Sequence, residues 1–461
     1  MRRFGGLSPV GLAMLAAMTL AGQQGQFSGS VPQGTATRTP VGLTLRDALD
    51  RGLKTNLGLL VSDSASEVAR GQRLVALSAL LPSISGQISQ TEEQNSLKTL
   101  GLNFKFPGVS IPTIIGPFHY TDVRAFASWS VFDYSARKSH RAAQESERAA
   151  RLSAQDARDL VVQLVASAYL QIIADSSRIT AIRSQVETAQ ALYNRAVDQH
   201  NAGTSPAIDV LRSQVELKQQ QERLIAAQNQ FAKDKLALGR AIGLPNGQDF
   251  NIAEEVPFSP LTSLTEDEAL KAALEHRADY QSFQARVRAA EESVNAARGQ
   301  RYPTGSITAD YGDVGASLAA SHGTFGFVAS ARFNIFDAGR ISADVIQARA
   351  ELKQRRDELA DLGGQIDQQV RDAFLDIRTA ADQVAVSRSN LDLASQTLAQ
   401  ARDRFSAGVT DNIEVVQAQE SVASANDSLI TALYGHNLAK VALARAIGGA
   451  DQGIQHLMEV K

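Results

Sequence analysis

The residues able to do chemistry are few and scattered. Seven histidines, His119, His140, His200, His276, His322, His436 and His456, never fall at a spacing such as i, i+4 that would set two imidazoles around a metal on one helix face. The chain has no Cys, which removes thiol nucleophiles, Cys-ligated zinc and disulfides together. No phosphate-cradling Gly-rich loop, GxSxG elbow or HExxH helix occurs. Asp209 and Glu414 follow Gly turns at matching places, and a facing carboxylate pair would suit general acid/base work. Their contexts put them on separate helix tips instead, so neither a catalytic constellation nor a cofactor or metal site is expected. His436 holds the heptad place that Phe231 holds elsewhere and reads as a packed or lumen-edge histidine.

Composition narrows the class. Of 461 residues 44% are hydrophobic and 21% charged, which excludes a disordered or collagen-like chain. With 46 Lys and Arg against 49 Asp and Glu, interspersed, the net charge of −3 gives no reason to expect a nucleic-acid partner. Arg2 and Arg3 precede an apolar run from Val10 to Leu20 ending in Ala21 and Gly22, read as a signal peptide over residues 1–22, with a buried N-terminal helix as the alternative. A flexible leader over 23–42 follows. No other segment reads as a transmembrane helix, so any membrane crossing falls to strands.

The elements that must position these residues are built twice. Leu236 to Gly243 recurs as Ala442 to Gly448, with Ala241 matching Ala446 and Gly203 matching Gly408, an offset of about 205. Upstream, Leu43-Thr44 and Pro82 match Leu264-Thr265 and Pro303 at an offset of about 221, so the first copy carries roughly 16 extra residues. The first repeat spans 43–245 and the second 264–449; a Pro-rich linker, 246–263, joins them and a tail, 450–461, follows.

Within each repeat the periodicity changes in the same order. Leu45 to Leu81 reads as one helix stopped by Pro82. Hairpins follow over 83–132 and 304–336, with strands of about nine to eleven residues, the length that spans a bilayer when tilted. In the second, Phe325, Phe327, Ala329, Ala331, Phe333 and Ile335 face one way, and Phe327, Ala329 and Phe333 are the candidate lipid contacts. Long helices are expected from about Ala136 to His200 and Ala338 to Phe405, each about 100 Å at 1.5 Å per residue. Past Gly203 and Gly408 the chain returns in helices from Pro206 to Gly243 and Asp411 to Gly448, where Leu217, Leu224, Phe231 and Leu238 form heptads.

Four strands cannot close a barrel, and a lone hairpin is marginal in water, so the chain must oligomerise. Eight or twelve strands would come from two or three copies, and the larger ring leaves obvious room for water. A soluble sandwich or a periplasmic coiled-coil scaffold without channel activity is the competing reading.

The duplicated order of helix, Pro, hairpin, Phe-Asp, long helix, Ala-Gly turn and returning helix ending in Arg-Ala-Ile-Gly resembles the TolC family of bacterial outer-membrane efflux proteins, over about residues 43–449. The resemblance implies a mixed, mainly α fold: long-helix rods in a trimeric α-barrel, with two β-hairpins per chain completing a twelve-stranded transmembrane barrel. It implies a homotrimer in outer-membrane lipid, reaching into the periplasm. There it would serve as the passive exit duct of a tripartite efflux or type I secretion system, with a periplasmic adaptor and an inner-membrane pump as partners. It also implies a periplasmic gate. In relatives two acidic rings narrow that end, and the matching positions are Glu414 and Gln417, so one ring stays acidic. The aromatic before the turn, often a Tyr, is Phe405, which lacks the hydroxyl, leaving Arg402, Asp403, Arg404 and Asp411 to pair instead. Many relatives carry a lipid-modified Cys, and this chain has no Cys to modify. The tips, with Gly203, Asp209, Leu211, Gly408 and Val415, are expected either to dock the adaptor or to serve only as turns. Glu414 equally suits a helix N-terminus without any gate. Trp129, Phe132 and Phe336 are expected in an interfacial belt or in packing.

Overall fold

The computed structural model describes residues 27–99, 101, 112–252, 258–259, 264–407, 409–410 and 412–450. The expected signal peptide, most of the C-terminal tail, Gly408 and Asp411 lie outside the described residues. In chain order the elements are β1 (Val41–Leu43), α1 (Leu45–Thr55), α2 (Leu57–Ser78), β2 (Ser83–Ser96), β3 (Ile114–Phe132), α3 (Tyr134–Asn201), α4 (Ala207–Ala241) and β4 (Phe250–Ile252). There follow α5 (Glu266–His276), α6 (Ala278–Gly299), β5 (Thr304–Gly315), a 3-10 turn, β6 (Ser321–Arg332), α7 (Arg340–Ser406) and α8 (Asn412–Ile447). The chain divides into two compact units: the described parts of Met1–Ser66, Ala150–Ser282 and Leu359–Lys461, and those of Glu67–Ala149 and Phe283–Glu358.

In the first unit the repeat is visible in the hydrogen bonding. Thr44 and Thr265 each cap a helix by a reciprocal box: Asp47 N donates to Thr44 Oγ1 at 3.1 Å and Glu268 N to Thr265 Oγ1 at 3.4 Å. The single helix expected from Leu45 to Leu81 is in fact two, because Asn56 takes an extended conformation (φ −61°, ψ 126°) between α1 and α2. The Asn56 carboxamide makes the break permanent. Its Oδ1 accepts from Gly58 N at 3.0 Å and its Nδ2 donates to the Phe27 carbonyl. Arg277 (φ −62°, ψ 122°) breaks the second copy at the equivalent place. Each break is met by the glycine that ends its returning helix. Gly243 (φ 66°) lies against Thr55 and Gly448 (φ 89°) against the backbone of His276 and Arg277, where any β-carbon would collide.

The core around these breaks joins β1, α1, α3, α4 and α8 through Leu43, Leu49, Val161, Val165, Tyr169, Leu238, Ile242 and Val441. Tyr169 is fully buried and its hydroxyl donates to the Leu43 carbonyl at 3.0 Å. In the second repeat Phe374, which lacks the hydroxyl, and Leu264 are partly buried and pack against one core cluster. β1 and β4 pair in parallel, Leu43 opposite Ile252, so the end of the leader and the linker meet. Sequence reading found no transmembrane helix past the N-terminus, yet α3 contains a stretch long and apolar enough to cross a membrane. Val161, Val162, Val165 and Ala166 on α3 are spent in this core instead.

The second unit holds one antiparallel sheet in the order β2-β3-β5-β6. Its helix segments follow the same order. Arg73 of α2 pairs with Glu147 of α3, Lys138 and Glu145 of α3 pair with Glu292 and Arg288 of α6 at 2.8 Å, and Arg356 of α7 pairs with Glu291 of α6 at 2.7 Å. Strands of 14, 19, 12 and 12 residues exceed the expected nine to eleven. In the first hairpin the ladder runs on toward the connecting loop, with Ile114 opposite Ser96 and Phe118 opposite Glu93. The loop's remainder, 102–111, lies outside the described residues. β6 stops at Arg332, so Phe333, Ile335 and Phe336 fall beyond the strand, before Asp337 caps α7 by accepting from Ile341 N at 2.9 Å.

Candidate functional site

Register decides what each sheet face presents. Ile84, Ala127, Ala309 and Phe327 stand opposite one another across all four strands, as do Gly86, Ala125, Tyr311 and Phe325. Ile88, Val123, Trp129, Ile307 and Ala329 extend the same face by the two-residue period, until Asp313, opposite Val123, interrupts it toward the hairpin loops. These side chains are open to solvent, Ile84 at 81%, Phe325 at 82% and Phe327 at 65%. So broad an apolar face is stable only against lipid or a partner. Phe327 and Ala329 therefore hold their expected orientation, whereas Phe333, 63% exposed, lies one residue past the strand. Val131 leaves the alternation because the register shifts between Ser130 and Phe132. Trp129 Nε1 donates to the Leu80 carbonyl at 3.1 Å, which satisfies its polar edge near the strand end.

The opposite face is mainly polar, interrupted by Phe126, Val314 and Val328. It carries Ser83, Ser85, Gln87 and Ser89 of β2, Asp122, Arg124, Ser128 and Ser130 of β3, Ser306, Thr308 and Asp310 of β5, and His322, Thr324 and Ser330 of β6. Arg124 pairs with Asp310 and, at 3.3 Å, with Asp122, and its Nη2 donates to Thr324 Oγ1 at 2.9 Å. One guanidinium thus ties three strands from both hairpins. Sequence reading missed this network; an Arg among mid-strand serines was its only signal. β2 and β6 each keep one edge without a strand neighbour among the described residues.

The helix tips belong to the other unit. Gly203 (φ 72°) closes the turn after α3, its N–H donating to the His200 carbonyl at 2.9 Å. Asp209, expected on a docking surface, is instead buried: it accepts from Ser205 Oγ at 2.9 Å and faces Arg212 at 3.6 Å, so it serves the first turn of α4. Val415, expected there too, is fully buried with Ala401, Phe405 and Ala418. Leu211 is exposed as expected. With Ile208, Val215, Ile413 and Val416 it lines an apolar cavity of about 520 Å³ between the first turns of α4 and α8, rimmed by Arg212, Glu216 and Gln417. Only Leu211 of that apolar set was singled out by sequence.

The gate residues separate into two kinds. Phe405 of α7 is 8% exposed and packs against Val415 and Ala418 of α8, with the Arg195 guanidinium 5.7 Å from its ring centre. Arg404 and Glu414 are partners: Arg404 Nη1 lies 3.3 Å from Glu414 Oε1, and Thr410 Oγ1 donates to the same carboxylate. Gln417 is exposed on the groove one turn further on.

Buried polar groups in this unit are structural. Arg277 donates to Asp279 Oδ2 at 2.6 Å and to Gln369 at 2.7 Å, and Arg445 pairs with Asp156. Burial works to raise the Asp279 carboxyl, but Arg277 and Arg445 outweigh it and hold it below the usual carboxylate range, whereas burial pushes Asp156 up. His436 is fully buried beside Phe258, ring centres 4.7 Å apart, and burial with the nearby Lys440 charge holds its imidazole below the usual range. It is a packed histidine, and no group of three or more metal-ligating side chains occurs among the described residues.

An open-edged sheet with one lipid-compatible face and one hydrated face defines the wall segment of a membrane β-barrel, carried here on long paired helices. The description outer membrane efflux protein belongs to the family model that matches residues 48–244 and 269–449, most of the chain, and the chain is a member of that family. It is 23% identical over 436 residues to the toluene efflux pump outer membrane protein TtgF of Pseudomonas putida, covering 90% of this chain and 85% of that one. To the pyoverdine export outer membrane protein OpmQ of Pseudomonas aeruginosa it is 23% identical over 420 residues, covering 88% and 85%. The fold matches the Campylobacter jejuni CmeC outer membrane channel with a TM-score of 0.76 at 16% identity, over 94% of this chain and 95% of that one. The protein is thus an outer-membrane efflux component, a transport protein with the TolC-like fold.

Proposed function

We propose that three copies of this chain close a twelve-stranded barrel and form the passive exit duct of a tripartite efflux or type I secretion system. The observation that carries this reading is the pair of unfilled edges, β2 and β6, on a sheet with one mainly apolar and one mainly polar face running across all four strands. Three copies supply twelve strands, enough for a hydrated lumen lined by the Ser, Asp and Arg face. The chain supplies no energy source, so an inner-membrane pump drives export and a periplasmic adaptor bridges to it. The apolar groove around Leu211 and Val416 is the docking surface for that adaptor. Gating takes place at the tips, where the Arg404–Glu414 pair locks α7 to α8. Toluene and pyoverdine are the cargo named for relatives; the tips and groove select none.

Membrane fractionation tests the reading. The full chain should sediment with outer membranes and run as a heat-modifiable oligomer three times the chain mass. Release by osmotic shock as a soluble protein would favour the coiled-coil scaffold instead.

A further inference from the structure

The seam where α3, α4 and α8 meet contains a carboxyl group with one oxygen that no donor satisfies. Asp175 of α3 has a side chain only 3% exposed. Its Oδ1 accepts from Gln171 Nε2 at 2.9 Å and Arg178 Nη1 at 3.3 Å, while Oδ2 has no hydrogen-bond partner. Within hydrogen-bonding reach of it stands a second carboxyl group, Asp234 of α4, whose Oδ2 accepts from Gln230 at 2.9 Å. Asp234 occupies the heptad register of Gln220 and Ala227, the row that alternates with Leu217, Leu224, Phe231 and Leu238 along the seam. Two ionised carboxylates are both acceptors, so a contact between them needs a proton.

We propose that Asp175 and Asp234 form one proton-binding site, a carboxylic acid–carboxylate pair that joins α3 to α4 and loosens when the proton leaves. The charged and titratable groups facing it are few. Arg178 lies on α3; Tyr434 lies on α8, its hydroxyl kept neutral by burial and by both carboxyl charges; Asp427 of α8 is reached through Arg178 Nε at 2.7 Å. One guanidinium therefore serves two carboxyl groups, Asp175 and Asp427, and a proton shared between Asp175 and Asp234 lowers the negative charge beside it. Burial, with Asp234 next, pushes the Asp175 carboxyl up to about 6. Arg178 and Asp427 also line a cavity of about 620 Å³ between α3, α4 and α8, together with Arg223, Gln230 and Glu420. Loss of the proton draws Arg178 toward Asp175, weakens its hold on Asp427 and slackens that wall. Because the folded chain keeps a proton that the unfolded chain loses, the pair stabilises below about pH 4 and that contribution disappears as pH rises to about 6.

The test uses the purified full-length oligomer in detergent, wild type beside Asp175→Asn and Asp234→Asn. Infrared difference spectra should show a protonated-carboxyl C=O band at about pH 5 that is lost by about pH 7.5 and is missing from both variants. Wild-type melting temperature should fall over the same interval by several degrees more than that of Asp175→Asn. Should one variant fail to assemble, the other assigns the band. A band absent from wild type, or pH profiles identical in wild type and variants, overturns the proposal. So does a melting temperature at about pH 7.5 that Na⁺ or Ca²⁺ raises in wild type but not in Asp175→Asn, which would make this a cation site.

Discussion

Arg404 Nη1 lies 3.3 Å from Glu414 Oε1 across the turn between α7 and α8, so the carboxylate expected to form an acidic ring is partnered within its own chain. Both side chains are more than a third exposed, and such pairs contribute only about 0.2–1 kcal/mol. Their contribution to folding is therefore small, and in the proposed gate their effect falls on ion passage and on the ease of opening.

Removing the arginine should unmask the acid. Arg404→Ala is expected to raise cation preference, and Glu414→Ala to lower it, each with a melting temperature within a degree or two of wild type. Reversal potentials in a salt gradient across a planar bilayer read this directly, and equal selectivity in both variants would remove the pair from the permeation path.

Charge on the lipid face should block assembly. Phe327→Arg and Ala329→Arg each place a guanidinium on the apolar face, at a cost of about 2–4 kcal/mol near the bilayer midplane. Ser330→Arg, one residue away on the hydrated face opposite Ser306, should assemble normally. The yield of heat-modifiable oligomer in isolated outer membranes distinguishes the three, and the reverse pattern would invert the two faces of the sheet.

The open edges predict a cross-linking pattern. Since the chain has no Cys, single cysteines can be scanned along β2 against Val328→Cys on β6 without background. Oxidation should give a ladder that stops at three chains. Cross-links confined to single chains would mean that β2 and β6 face each other within one molecule.

The break at Arg277 should govern stability. Arg277→Met leaves Asp279 buried without its main partner, a loss of about 3–5 kcal/mol in denaturant unfolding. The Asp279 carboxyl is held below its ordinary value, so its contribution is present above about pH 4 and is lost as pH falls through the lowered value. Wild type should thus lose stability on acidification more steeply than Arg277→Met. Parallel acid limbs would show that another carboxylate dominates.

Much of this architecture is legible in the residues because it is written twice. The matching of Gly203 with Gly408, Ala241 with Ala446 and Pro82 with Pro303 orders the elements, and the alternation at Phe325, Phe327 and Ala329 sets a strand face. What escapes is set by contacts distant in sequence. Nothing in the helical periodicity from Leu45 onward announces the break at Asn56, which depends on the Phe27 carbonyl. The Arg124 network needs the register of three strands, two of them nearly two hundred residues away. At the tips, side-chain direction was not legible: Asp209 and Val415 turn inward, and only the fold shows Ile208, Val215 and Val416 joining Leu211 outside.

Single-channel recording of the purified protein in a planar bilayer tests the central claim most directly. A trimeric duct closed at its tips should insert as an oligomer and give a small conductance, which Arg404→Ala and Glu414→Ala together enlarge by releasing α7 from α8. Insertion of the oligomer with no conductance in wild type or in the double variant would contradict an exit duct.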